Sequence, residues 1–318
     1  MPRREDVRIR ATNVANLNIA VTCIFPEQSH KKSPVIVMGH GFGAVKAGGL
    51  FPSAERFAVA GYVAVMFDYF HFGDSDGTPR NLLSISRELQ DFRDVIGWAR
   101  RQTEMWDTTR IIAWGASFGG MHIAALMAED HDLVAGIMQG PCVDGLAASM
   151  QVPVLKTLRI LPLAVADRIL SLFSSKAIYI RIIGDGKRGS PVAMMSGSEA
   201  MEGWRRLNKG HLQAFVNKVT ARTILTIPFS RPYRRIHRSS KPLLVILTSW
   251  DNEAPLHKAE QVVRLLPLAE GFRVPGGHFD VYEGGVGFED NMTRQLQFLR
   301  KAFVIVYVDG DNGHSQIT

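Results

Sequence analysis

The stretch Ile111-Ile112-Ala113-Trp114-Gly115-Ala116-Ser117-Phe118-Gly119-Gly120-Met121-His122 constrains the fold of this chain more than any other. A short apolar run enters Gly-Ala-Ser-Phe-Gly, and Ile123 to Ala128 follow as an Ala-rich stretch at helical spacing. The pattern predicts strand, tight turn and helix, with a serine at the tip. Gly115 and Gly119 give strand and helix room to close, and Gly120 lets the helix approach the sheet. A serine held there presents its hydroxyl at the carboxyl edge of a sheet. The N–H groups of a helix N-terminus lie beside it and favour developing negative charge.

The flanking sequence supplies a sheet for this turn. Val7 to Ala11 and Leu17 to Phe25 read as two short strands around Asn13-Val14-Ala15-Asn16, an antiparallel edge. Pro34 to Met38 is a continuous apolar run, the mark of a buried parallel strand, and it ends in His40-Gly41-Phe42-Gly43. A helix over Ser53 to Gly61, with Phe57 and Ala58 inward, precedes a strand from Tyr62 to Phe67. The turn-rich loop His71 to Pro79, a helix over Ser86 to Arg101, the serine unit and a strand at Leu133 to Met138 follow. This alternation predicts a doubly wound, mostly parallel α/β sheet. Alternation fails from Asp144 to Arg238, where the chain turns Met-rich and basic and reads as helical. Strands at Leu243 to Leu247 and Gly271 to Val274 resume the pattern. A closing helix over Phe288 to Val308 leads into a polar tail, Asp309 to Thr318.

We therefore expect one α/β domain over residues 1–318 with a helical cap, 144–238, inserted above the carboxyl edge of the sheet, where ligands bind in such folds. A separate helical domain is the alternative. The chain's two cysteines, Cys23 and Cys142, allow no disulfide framework and no Cys-based metal site, which points to a reducing, cytoplasmic setting. No metal or cofactor is expected. The basic N-terminus has no apolar region after it, so no secretory signal is expected. The run from Val152 to Ile183 is too broken by charges to span a membrane. The net charge of +7 permits an acidic partner, but no nucleic-acid motif accompanies it.

Three further pieces fall where a serine nucleophile needs them. The Gly-rich loop at His40 to Gly43 allows close backbone approach, so the amides of Phe42 and Phe118 are the expected oxyanion donors. Asp251, just past a strand end, is the expected partner of the catalytic histidine, with Glu253 and Asp144 as alternatives. His278, on the loop Pro275-Gly276-Gly277-His278-Phe279-Asp280, is the expected base. The order Ser, Asp, His is the one this type of fold uses.

Taken in order, these motifs resemble the α/β-hydrolase superfamily over nearly the whole chain. They are His40 to Gly43, Asp68 with Phe72-Gly73-Asp74-Ser75, the turn at Ser117, Asp251 with Pro255, and Gly277-His278-Phe279. Phe67 to Arg80, and Ile180 to Asp185 with Ala193-Met194-Met195, are similar to a dienelactone-hydrolase-like subgroup that includes fungal polyketide transferases and polyketide-cluster hydrolases. Phe70-His71 departs from it where many relatives carry Arg and a small or aromatic residue. The resemblance implies a serine hydrolase or acyltransferase acting on an ester or thioester of a polyketide-like metabolite in fungal secondary metabolism. It also leaves open a non-hydrolytic cyclase, in which His278 acts as base in an aldol or Knoevenagel condensation.

Met150, Leu155, Leu158, Leu161, Leu163, Met194, Met195, Met201 and Trp204 are expected either to line an apolar substrate pocket or to pack the cap. His40, His71 and His122 are further candidates for substrate contact, with core packing as the alternative. The basic residues Arg205, Arg206, Lys209 and Arg231 to Arg238 fit an acidic acyl carrier protein or a solvated face. An oligomer is compatible with the sequence.

Overall fold

The computed structural model describes residues 2–27, 32–104, 106–129, 131–187, 189–208 and 215–311, with 303–311 described by backbone alone. The chain opens with β1 (Arg3–Arg10), β2 (Asn18–Phe25), β3 (Ser33–Gly39), α1 (Phe51–Val59), β4 (Val63–Phe67) and α2 (Ile85–Arg100). β5 (Trp106–Ala116), α3 (Gly119–Glu129) and β6 (Ala135–Gln139) complete this half. The intervening segment holds α4 (Gly145–Gln151), α5 (Val154–Leu170), β7 (Tyr179–Gly184), β8 (Ala193–Ser196), α6 (Ser198–Leu207) and β9 (Val219–Thr220). The chain then returns through β10 (Leu243–Thr248), α7 (Leu256–Leu265), β11 (Ala269–Val274) and α8 (Phe288–Asp311).

Eight strands form one sheet in the order β1-β2-β4-β3-β5-β6-β10-β11. β2 runs antiparallel to β1 and β4, and every pairing from β4 to β11 is parallel. This is the doubly wound, mostly parallel α/β sheet expected. β4, β6 and β10 are buried along their whole length, which is why they read as unbroken apolar runs. Each large apolar side chain buried there contributes about 1.5–3 kcal/mol. β1 is the opposite case. Its exposed Arg3, Arg4, Glu5, Asp6 and Arg8 blunt a sheet edge that would otherwise invite another strand.

Beneath the serine turn lies a buried polar knot. Trp114 Nε1 donates to Gln295 Oε1 at 2.7 Å, and Asn291 Nδ2 donates to Gln139 Oε1 at 2.6 Å. Gln295 Nε2 reaches Asn291 Oδ1 and Gln139 Oε1, so a chain of buried hydrogen bonds fixes α8 to β5 and β6.

The segment 144–238 departs from the helical expectation. It is mixed: α4, α5 and α6 accompany a three-stranded sheet in the order β8-β7-β9, followed by three short 3-10 turns. The β-branched run of β7, Tyr179-Ile180-Arg181-Ile182-Ile183, explains the difference. Asp144 and Arg231 pin the two ends of the segment together. The Asp144 carboxylate caps the Leu146 amide at 3.0 Å and accepts from Arg231 Nε at 3.0 Å. Asp144 is thus occupied as a structural clamp. α7 escaped the sequence reading because it turns few apolar positions inward, Ala259 and Val262 among them. Lys209 and residues 312–318 of the tail lie outside the described residues.

Candidate active site

Ser117 stands between β5 and α3 with φ of 52°, a left-handed conformation that costs a non-glycine residue about 1–3 kcal/mol. Three backbone bonds hold it there: Ser117 N to Gln139 O at 2.8 Å, and Cys142 N and Gly120 N to Ser117 O at 2.9 Å each. The surrounding glycines are sterically required. A Cβ on Gly115 would sit 2.5 Å from the Gly119 carbonyl oxygen, and one on Gly119 would sit 2.8 Å from those of Gly39 and His40.

Three side chains from distant parts of the sequence meet at this turn. His278 Nε2 lies 2.9 Å from Ser117 Oγ, and His278 Nδ1 lies 2.8 Å from Asp251 Oδ2. Asp251 is itself oriented, its Oδ1 accepting from the amides of Glu253 at 2.9 Å and Ala254 at 2.7 Å. The His278 backbone N–H donates to Glu199 Oε1 at 3.1 Å, which anchors the histidine loop to α6. Burial pulls the His278 imidazolium down, but Asp251, Glu253 and Glu199 together outweigh it and raise its pKa above 6.5. Burial pushes the Asp251 carboxyl up, and the facing His278 and the two amides override it, leaving the group below its usual range.

The Phe42 and Phe118 amides have no acceptor among the described residues. Their rings meet edge to face, with centroids 5.5 Å apart. The loop carrying Phe42 approaches closely, because a Cβ on Gly41 would lie only 3.0 Å from Ser117 Cβ. Its neighbour Asp68 is held by Lys46, whose amide and ammonium donate to the two carboxylate oxygens at 2.7 and 2.6 Å. Gly73, at φ 48°, leaves no room for a side chain against Asp68, which accounts for the Phe72-Gly73-Asp74-Ser75 pattern.

Above Ser117 opens a cavity of about 830 Å³, walled by Ile160, Val192, Met194, Met195, Leu225 and Ile227 from the segment 144–238. Met194, Met195, Leu155 and Leu161 line it, one of the two placements the sequence left open. The remaining candidates do not line it. Met150, Leu158 and Leu163 are exposed, while Met201 and Trp204 pack against the core. His40 is buried against Tyr69, with ring centroids 4.4 Å apart, and burial takes its pKa to about 4. His122 Nε2 lies 2.8 Å from Glu88 inside the core, where burial lowers the histidine to about 3 and raises the acid. His71 Nδ1 lies 2.9 Å from Pro79 O in its own loop.

Sequence reasoning passed over Glu199 and Lys156. Glu199 reaches the histidine loop only through the fold of α6. Lys156 enters the cavity from α5 and donates to Met194 O and, at 3.3 Å, to Ser196 Oγ. Neither carries a local pattern that marks it. Glu253, two residues beyond Asp251, also lines the cavity, and burial raises its carboxyl to about 7.

Known proteins share this architecture. The profile of the X-Pro dipeptidyl-peptidase (S15) family matches residues 16–151. The quorum-quenching protein AidA of Acinetobacter baumannii is 34% identical over 269 residues, covering 85% of this chain and 86% of that protein. A polyketide transferase of Aspergillus fumigatus is 28% identical over 274 residues, covering 85% of this chain and 90% of its own. The crystal structure of the α/β hydrolase GrgF from Penicillium superposes with a TM-score of 0.79 over 94% of this chain and 99% of its own, at 23% identity. Sequence shared with AidA along most of both chains, on a sheet of this order, makes the chain a member of the α/β-hydrolase superfamily, in the group that includes the fungal polyketide transferases, and a hydrolase or acyltransferase.

Proposed function

We propose that this chain cleaves or transfers the acyl group of an ester or thioester, acting on an apolar, polyketide-like metabolite through Ser117, His278 and Asp251. One observation carries the reading: a single imidazole bridges Ser117 Oγ at 2.9 Å and Asp251 Oδ2 at 2.8 Å on the floor of an apolar cavity. In this mechanism His278 Nε2 takes the Ser117 proton as Oγ attacks the carbonyl carbon. The negative charge that develops on the carbonyl oxygen is met by the Phe42 and Phe118 amides, and Asp251 stabilises the imidazolium. Collapse breaks the bond to the leaving alcohol or thiol, which takes the proton from His278. The acyl-enzyme then passes to water or to another nucleophile activated by the same histidine. Cys142 lines the same cavity, but burial pushes its thiol to about 12, so it does not compete with Ser117.

The substrate class rests on the Met194 and Met195 wall, whose flexible side chains suit an irregular apolar chain, and on the names of the fungal relatives. Intact-mass measurement after fluorophosphonate treatment tests the chemistry. A single adduct on Ser117, absent in Ser117→Ala and His278→Ala, is expected. Product formation that survives Ser117→Ala but not His278→Ala would replace the covalent route with the proton-transfer cyclase.

A further inference from the structure

Ten of the seventeen exposed large apolar side chains of the described residues fall within residues 150–173. The other seven are spread from Val59 to Val286 over the rest of the described residues. Within α5, Val154, Leu158, Leu161, Val165 and Ile169 recur every three or four residues and so form one stripe along the helix. The opposite face, Ile160, Ala164 and Asp167, is buried. Beyond the helix end the apolar surface continues through Leu172 and Phe173, the latter 83% exposed. A patch of this size marks a surface that meets something apolar.

The charges around it decide what that is. From residue 145 to 184 the chain carries Lys156, Arg159, Arg168, Lys176 and Arg181, and its one acid, Asp167, is buried. Asp167 Oδ1 accepts from the Ile178 amide at 2.7 Å and Oδ2 from the Arg222 amide at 2.9 Å, so its charge does not face outward. A second copy on this stripe would set cations against cations. An apolar stripe flanked by exposed Arg159 and Arg168 fits the headgroup boundary of an anionic lipid layer.

We propose that the cap docks on anionic membrane surfaces through the exposed stripe of α5. Leu155 and Phe229 line the catalytic cavity and are 72% and 86% exposed, so they mark its mouth. Docking brings that mouth to the lipid, where an apolar acyl substrate partitions. The docking itself is independent of the chemistry assigned to Ser117.

The test is flotation of the full chain with phosphatidylcholine vesicles and with phosphatidylcholine–phosphatidylserine vesicles, with light scattering for mass in solution. Binding to the anionic vesicles that weakens with salt is expected. The double variant Leu158→Asp/Val165→Asp, neither residue lining the cavity, should lower the partition coefficient at least about tenfold. Arg168→Gln and Lys176→Gln should each lower it about fivefold. Unchanged thermal unfolding of the variants establishes that they are folded. Absence of flotation, flotation indifferent to these substitutions, or a stable dimer that Leu158→Asp dissociates would each overturn the proposal, the last by giving the stripe to a second copy.

Discussion

The sheet edge that carries Ser117 and the cap segment 144–238 face each other across one cavity, and packing fixes them to very different degrees. The backbone around Ser117 admits no added side chain at four positions: Gly39, Gly115, Gly119 and Gly120 each leave less than 3 Å for a Cβ. In the cap, Met194 and Met195 are only partly buried and α5 shows most of its length to solvent. The closely packed side carries the groups proposed to react, and acyl transfer by them would demand close positioning. The loosely packed side is free to vary its walls without disturbing them. A fold divided this way keeps one chemistry while its substrates change.

The largest effects should come from the rigid side. Ser117→Ala is expected to lower kcat/KM for a model ester by about 10⁴–10⁶-fold. Its thermal midpoint should stay within about 3 °C of the parent, because a methyl group fits the same turn. Asp251→Asn should cost about 10⁴-fold through loss of the imidazolium partner and the wrong histidine tautomer. Steady-state kinetics with a chromogenic ester measures both. Activity that persists in Ser117→Ala would break the comparison at its root, since the strained turn would then serve packing alone.

These residues were legible because each sits at a strand end marked by local chemistry. Gly-Ala-Ser-Phe-Gly follows the apolar β5, the loop at His40 to Gly43 follows β3, Asp251 follows β10, and Gly276-Gly277-His278 follows β11. Buried strands announce themselves as apolar runs, so their ends can be read. The cap offered no such frame. Its β7 to β9 sheet is small, and its Met and Leu residues look the same whether they face the cavity, the core or solvent. Leu155 lines the cavity while Leu158, one turn on, faces outward, and only the docking of α5 on the rest of the fold decides between them. His40 and His122 misled for a related reason. They lie beside the motifs in sequence, yet Tyr69 and Glu88, brought in by tertiary packing, occupy them.

Stability should separate the two regions next. Gly115→Val drives a branched side chain against the Gly119 carbonyl and Ile123, an overpacking expected to cost about 3 kcal/mol in denaturant unfolding. Val165→Ala on the exposed face of α5 should change stability by no more than about 0.5 kcal/mol. Selectivity should show the reverse. Met195→Ala enlarges the cavity wall and is expected to shift the kcat/KM ratio between long and short acyl esters about tenfold, with little loss of stability. Equal sensitivity of the two regions to these substitutions would erase the distinction.

The smallest expected effect probes the place where the two regions touch. Glu253 belongs to the loop after β10, lines the cavity with Lys156 of the cap, and is one of the charges that raise the His278 pKa. His278 must be neutral to accept the Ser117 proton, so kcat/KM rises with pH through that pKa. Removing a nearby negative charge makes the imidazolium easier to deprotonate. Glu253→Gln should therefore move the acid limb to lower pH, by less than about one unit for a single neighbouring charge. Burial raises the Glu253 carboxyl to about 7, and each of the two groups shifts the other, so in the parent protein the limb reports a linked pair. The Gln variant should show a simple one-proton limb instead. A limb unchanged in position and shape would mean that the charge at residue 253 does not reach His278.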